Sequence, residues 1–523
     1  MDSKISSMFK TVKNNWIIIS ILIIALVFRL VHLNQNFNLW WDSSIYLGVS
    51  KYIYTLGSSG IWEPYRPLIH PILLGFFWKI GANVVWVGKF LDLIFSLTTI
   101  ILSYKIAKRV YSKKAAYYTA FILAIAPLSI MFTGLILTEP LALTLCLAAV
   151  YLFINRETIL PSWKNKYKNL MIGTIFAIAA LTKFPLAMIF FSTLIARQII
   201  ARKQVITKHQ IIKQLKESIF LLFGFSIPFI PYLILNYILY SDPLLPFTSG
   251  SWIVGTFLWQ YDTNFWFYFT DFFPVYQLFA IIPFAIILFI INKDYKNESK
   301  TLIVTSSTLL FLYFWLIVPR KEIRYLIMLY PFWIILISDI IAKVETRISQ
   351  LLFQNDKLDP SEKKSNTQKS IFQKFQPFLA VVIIITAIIG AQVFPAANIS
   401  YTTTVYDSEI ELLGDYIIEN KITEPILSSS PYIIEHVDNL IYPTADISLA
   451  NAVYERKAGD YSYILVRDCD YVCHSSDTEC KEEKEKFLNR IDNENNLLQQ
   501  VEYNFKRNIC ILSFYSIGNY KLS

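Results

Sequence analysis

The sequence predicts a polytopic α-helical membrane protein of about eleven spans that ends in a small α/β domain. Three observations carry that prediction. The mean hydropathy is +0.44, with 54% hydrophobic and only 17% charged residues, outside the range of soluble globular chains. Apolar runs long enough to cross a bilayer alternate with short loops rich in Lys and Arg. From about residue 397 the apolar runs stop and the composition becomes that of a soluble domain, which divides the chain into 1–396 and 397–523.

Lys4, Lys10 and Lys13 precede the first span, residues 16–33, and place the N-terminus in the cytoplasm. No small-residue cleavage site follows that run, so it reads as a retained helix. A second span, 84–104, returns the chain to a loop carrying Lys105, Lys108, Arg109, Lys113 and Lys114. The third, 115–135, and the fourth, ending near 151, enclose the turn TGLILTEP and lead to Arg156, Lys164, Lys166 and Lys168. The fifth, 170–181, ends at Thr182-Lys183, and the sixth, 184–200, returns to a basic segment in which 204–217 reads as an amphipathic surface helix. The seventh, 218–240, opens an outer loop, 241–274, that is rich in aromatics and holds Asp242, Asp262 and Asp271 but no Lys or Arg. The eighth ends at Asn292, the ninth runs from Thr301 to PRKEIR at 319–324, and the tenth descends to Lys343 and Arg347. A polar, lysine-rich stretch at 354–374 reads as a flexible cytoplasmic linker before the eleventh span, 377–394. The net charge of +9 is accounted for by these loops, and no basic stripe interleaved with aromatics points to nucleic acid.

In the C-terminal domain, helix-period residues at 408–420 precede β-like PILSSS and YSYILVRD, a charged helix at 478–491 and two β-like runs at 497–505 and 509–514. This alternation predicts an α/β domain on the extracytoplasmic side. Cys469, Cys473, Cys480 and Cys510 lie there, and an even number outside the cell fits two disulfides of unspecified pairing. A zinc site using His474 is the less favoured reading.

This topology brings scattered ionisable residues to one face. Asp42, Arg66, His70, Glu139, Lys183, Asp271, Arg320, Lys321, Glu322 and Arg324 all fall at outer span ends or in outer loops. Charge at membrane depth lines cavities more often than it faces lipid. Each residue also has a plainer role. Asp42 suits a helix cap near Ser44, Glu139 the N-terminal dipole of a helix, Lys183 and Arg29 snorkelling, and His70 packing. The basic cluster at 320–324 breaks the positive-inside trend, which phosphate binding or pairing with Glu322 explains equally.

The segments WWDSSIYLGVSKY, EPYRPLIHPILLG, TEPLAL, LTKFPLAM and RKEIRYLIMLYP, in this order, resemble the GT-C superfamily of glycosyltransferases. The similarity is to its protein O-mannosyltransferase and aminoarabinose-transferase-like members, which use polyprenyl-phosphate sugars. The resemblance implies that Asp42 is the catalytic base and that Arg66, Lys183 and Arg324 hold the donor phosphate. It makes Glu139 and Tyr325 further site candidates, and the outer-face placement adds Asp271, His70, Arg320 and Lys321. Relatives often carry an Asp-Glu pair where this chain has Asp42-Ser43, so no paired acidic motif supports a divalent metal here; metal dependence stays open, with Asp271 or Glu139 as the acids that could help bind one. The implied reaction transfers a hexose, with mannose as the family-level expectation, to a hydroxyl of a protein, lipid or glycan at the outer face of the cell membrane, with inversion. A flippase for lipid-linked sugars, or another transporter, is the competing class; it calls for inverted repeats or paired broken helices, and the sequence displays neither.

Overall fold

The computed structural model describes residues 2–34, 39–159, 161–203, 208–255, 258, 262–354, 380–393, 396, 408–442, 447–456, 459–505 and 508–517. The expected linker at 354–374 lies almost wholly outside them, and of the eleventh span they include the helix Ala380–Val393. The longer helices are α1 (Asp2–Leu33), α2 (Trp41–Tyr54), α3 (Ile69–Lys79), α4 (Val84–Val110), α5 (Lys113–Ile125), α6 (Thr138–Ile154) and α7 (Asn165–Thr182). They continue with α8 (Ala187–Lys203), α9 (Lys208–Tyr240), α10 (Glu298–Leu312), α11 (Tyr330–Gln354), α12 (Ser408–Glu419), α13 (Ile447–Arg456) and α14 (Thr478–Glu494). Two compact units result. One comprises Met1–Gln35, Leu91–Gly134 and Thr138–Thr403, the other Asn36–Phe90, Leu135–Leu137 and Thr404–Ser523.

The first unit is helical. Among the described residues, Asn15–Leu33, Val84–Val110, Ile212–Tyr240 and Glu298–Ile317 are long and apolar enough to cross a membrane, although α4 is shared with the second unit. A bent pair, Tyr268–Val275 and Gln277–Ile291, makes a fifth if it counts as one span, and Thr138–Ile154 and Phe184–Ile199 are shorter apolar helices. The bend of 111° falls at Tyr276, whose φ of −100° and ψ of 58° leave the helical region.

The expected third span, 115–135, is interrupted. Pro127 has no amide to bond the Leu123 carbonyl, and it pushes Ala126 into the extended region (φ −65°, ψ 117°), so α5 stops at Ile125. Arg29 takes over the exposed carbonyls: Nη2 donates to Leu123 O at 3.2 Å and Nη1 to Ala124 O at 3.0 Å, while Nε bonds Ser96 at 2.7 Å. Arg29 is therefore neither a site residue nor a snorkelling one; it is fully buried and caps a broken helix. The amphipathic helix expected at 204–217 is also corrected: no breaker separates its described part from the span, and Lys208–Tyr240 is one helix. Helices α7 and α9 approach closely at Gly173 and Gly224, where an added Cβ would stand 2.1 Å from a carbonyl oxygen of the opposite helix.

In the second unit the segment after α1 folds as α2 and α3, and the C-terminal residues form a five-stranded sheet. Its strands are β1 (Ile426–Ser428), β2 (Leu440–Ile441), β3 (Tyr463–Arg467), β4 (Asn495–Phe505) and β5 (Asn508–Ile517), in the order β2-β1-β3-β5-β4. Strand β1 is parallel to β2 and β3, and β5 is antiparallel to β3 and β4. All five residues of β3 are buried, which requires cover on both faces. Ile464 and Val466 join the core made with Ile447 and Ala450 of α13 and Phe487 and Ile491 of α14. On the other face Tyr463 stacks on Phe514, which meets Tyr416 of α12. Disulfides Cys469–Cys510 and Cys473–Cys480 settle the pairing the sequence left open, and both engage the thiols a zinc site would need.

Candidate active site

In the second unit, α2 begins at Trp41 with Trp40 as its cap residue, so Asp42 lies inside the first turn and is not the cap. A carboxylate there is favoured by the helix dipole. The side chain is 24% exposed and accepts a 2.7 Å bond from Arg66 Nη1. Arg66 Nε bonds Glu63 Oε2, also at 2.7 Å, so one guanidinium carries two carboxylates. Its planar fork suits that geometry. The guanidinium also lies 5.4 Å from the Tyr46 ring centre and 5.2 Å from that of Tyr65. Burial works to lower the Arg66 pKa, but the charges of Glu63 and Asp42 outweigh it and hold the value well above the usual arginine range. The Tyr65 hydroxyl is pushed up by burial first and by Glu63 second, and remains protonated.

Glu63 is the residue that sequence reasoning missed. Its signal was the three-residue spacing to Arg66 in EPYR, across which an acid and a base meet. Ser43 donates a short hydrogen bond to the Leu135 carbonyl and is fully buried. His70, on α3, is likewise buried, and its ring stands edge-on to Tyr46 at 5.7 Å. It packs behind the ion-pair cluster.

The first unit holds a separate constellation. Glu139 is in the first turn of α6 and accepts 2.8 Å from Lys183 Nζ, which follows α7 on extended backbone. Glu322 receives Arg320, Arg324 at 2.5 Å and the Tyr325 hydroxyl at 3.1 Å. Arg324 is within electrostatic reach of Glu139, and Lys183 of Tyr325, so the two sets belong together. Three cations thus face two carboxylates. Lys321 points elsewhere: its ammonium donates to the carbonyls of Phe314, Trp315 and Val318, capping the wide turn at Tyr313–Ile317. Asp271 is exposed and accepts from Thr270 Oγ1 at 2.6 Å, outside the constellation.

A dication between Asp42 and Glu63 would have to displace Arg66 from the bonds it makes to both. Among the described residues the grouping of acid, His or Cys side chains closest to a metal-ligand set is Asp468, Cys469 and Cys510, whose two sulfurs are joined to each other.

Residues 65–234 match the family model of dolichyl-phosphate-mannose-protein mannosyltransferase. The chain aligns with the crystal structure of ArnT from Cupriavidus metallidurans in the apo state at a TM-score of 0.62, with 11% identity over 96% of this chain and 98% of that one. The chain has a GT-C fold. Two GT-C structures from Archaeoglobus fulgidus align with TM-scores of 0.52. One is an oligosaccharyltransferase tethered to an acceptor peptide containing the NVT sequon, at 14% identity over 97% of this chain and 75% of that one. The other is the oligosaccharyltransferase AglB in complex with an inhibitory peptide and a dolichol-phosphate, at 13% identity over the same shares. No curated protein matches the chain by sequence. With this fold and its apolar helices, the GT-C chain is a multi-pass membrane protein.

Proposed function

We propose that this GT-C chain is a membrane glycosyltransferase that moves a sugar, a hexose such as mannose, from a polyprenyl- or dolichyl-phosphate donor to an acceptor hydroxyl on the extracytoplasmic side. The acceptor belongs to a protein, a lipid or a glycan. The reading is carried by Asp42, a partly exposed carboxylate at a helix start whose orientation is fixed by Arg66 beside Glu63. The family model supports the mannosyl donor, and the AglB complex shows a dolichol-phosphate on a related fold.

The acceptor oxygen attacks the anomeric carbon as the bond from that carbon to the phosphate oxygen breaks, and the lipid phosphate leaves with the electron pair. Asp42 takes the hydroxyl proton, a general-base contribution of about 10² to 10⁴-fold. One displacement without a covalent intermediate inverts the anomeric centre. The leaving phosphate requires charge neutralisation. Lys183, Arg320 and Arg324 take that role, because their constellation has an excess positive charge. Arg66 is reassigned from phosphate ligand to partner of Asp42, since it already serves two carboxylates.

The test is transfer of labelled sugar from a synthetic polyprenyl-phosphate donor, with donor binding and transbilayer movement of the lipid measured alongside. Turnover by the native chain, with Asp42→Asn binding donor but not transferring it, is the expected result. The broken helix at Tyr276 is the observation that favours a transporter. Lipid movement equal in both proteins, with no transfer across a panel of matched donors and acceptors, would replace the enzyme reading with that one.

A further inference from the structure

In an α/β domain, ligands bind outside the carboxyl ends of parallel strands, where the strand order changes direction. The second unit contains such a point. Strand β1 lies between β2 and β3 and runs parallel to both, so the chain leaves it to one side and later returns on the other. Tyr432 follows β1, Tyr442 follows β2 directly and Arg467 ends β3. The occupant of this crevice is part of the same chain. The Trp41 ring stands edge-on to Tyr432 at 5.6 Å and to Tyr442 at 5.8 Å, and the Arg467 guanidinium lies 5.1 Å from the Tyr432 ring centre. Arg467 is itself held by Glu409 at 3.2 Å and Tyr503 at 3.0 Å, both in the C-terminal part of the unit.

A second attachment lies three turns along the same helix. Lys51 is 3% exposed, and its ammonium bonds the carbonyls of Ile434 at 2.7 Å and Val437 at 3.0 Å and the carboxylate of Asp438 at 2.8 Å. These acceptors end the short helix Tyr432–Glu435 that follows β1, a place where a cation is favoured. The Gly60 amide donates to Asp438 O at 2.8 Å. Gly60 has φ +89°, and a Cβ there would stand 2.4 Å from Gly48 O, so the return from α2 leaves room for glycine alone.

We infer that Trp41 and Lys51 are positioning residues: the strand-end crevice of the C-terminal domain grips α2 at both ends and thereby sets the angle at which Asp42 meets Arg66. The inference rests on the transferase reading of Asp42. It gives the C-terminal domain a part in the chemistry without contact with the reacting atoms. Loosening α2 lengthens the Asp42–Arg66 pair while leaving the sheet folded, and a carboxylate held less tightly by its cation takes up a proton more readily. The groups facing Asp42 in that change are Arg66, Glu63 and Tyr65.

The experiment compares the full-length native chain with Trp41→Ala, Lys51→Met and the conservative variants Trp41→Phe and Lys51→Arg. It measures kcat, donor KM, the pH profile of kcat, and hydrogen exchange in α2 and in β3 and β5. In Trp41→Ala and Lys51→Met, kcat should fall about 10- to 100-fold with donor KM unchanged, and the acid limb should move to higher pH. Exchange should quicken in α2 alone, and Phe and Arg should restore most of the loss. A native acid limb in both variants, or a loss of kcat that matches only the folded fraction, overturns the inference. Equal quickening of exchange in β3 and β5 does so too, since the contact would then serve general stability. If the native chain transfers nothing, the transferase reading has failed first, and the positioning role goes with it.

Discussion

The two units carry opposite charge imbalances. Around Arg66 two carboxylates share one cation; around Glu322 and Glu139 three cations share two carboxylates. The chemistry proposed for the chain needs both. A base that accepts a proton is best placed where negative charge is in excess, and a leaving phosphate where positive charge is. Under the proposed mechanism Arg66, an attractive phosphate ligand by its place in YRPL, belongs on the side of the base.

The most damaging change to this division is Asp42→Asn. It keeps the shape and removes the proton acceptor, so transfer should drop by about 10² to 10⁴-fold with donor binding intact. Changes in the other constellation should do the reverse. If the proposed assignment is right, Arg324→Gln or Lys183→Met removes a charged hydrogen bond to phosphate, worth about 1.5–3 kcal/mol, and donor affinity measured by lipid binding should fall roughly 10- to 150-fold. If Arg66→Gln weakens donor binding as much as Arg324→Gln, the assignment of Arg66 to Asp42 is wrong.

Glu63→Gln gives a finer test. It leaves Arg66 with one carboxylate and brings the cluster to neutrality, so Arg66 should bind Asp42 more firmly. A carboxylate held more firmly ionises at lower pH, and the acid limb of kcat should move down while kcat itself falls about 3- to 10-fold, because a weaker base takes the proton less readily. An unmoved acid limb would mean that Glu63 acts only on Arg66 packing.

Much of the secondary structure of the C-terminal domain was legible: YSYILVRD, a β-branched and aromatic run, contains β3, and the charged run at 478–491 lies within α14, whereas β2 and α13 went unread. The helix breaks were less legible. Pro127 was visible, but only the fold reveals that Arg29, distant in sequence, takes up the carbonyls it leaves. Apolar content sets where a run can sit, whereas a single proline and a buried guanidinium set where the helix ends. Ion pairing was one of two readings at PRKEIR, was missed at Glu63 and Arg66 although only three residues separate them, and was unreadable for Lys51, whose acceptors lie more than 380 residues away. Lysine in SKYIY has the look of a solvated residue until the connection from β1 to β2 is built.

Lys51 yields the sharpest contrast with Arg66, since both are cations of one unit whose charge burial disfavours. Arg66 keeps its charge because two carboxylates outweigh burial. For Lys51 burial is the larger influence, Asp438 offsets only part of it, and the pKa is lowered from 10.5. Between that lowered value and 10.5 the unfolded chain binds the proton and the folded chain does not, so stability rises with pH through this window. The slope is bounded by one proton, about 1.4 kcal/mol per pH unit. Thermal unfolding of the full chain in detergent, followed by protease cleavage within residues 41–60, should register this rise in the native protein and lose it in Lys51→Met. The neutral amine still donates to the carbonyls of Ile434 and Val437, so the grip on α2 should persist at high pH even after the charge is gone. A slope that survives in Lys51→Met would assign the titration to another group.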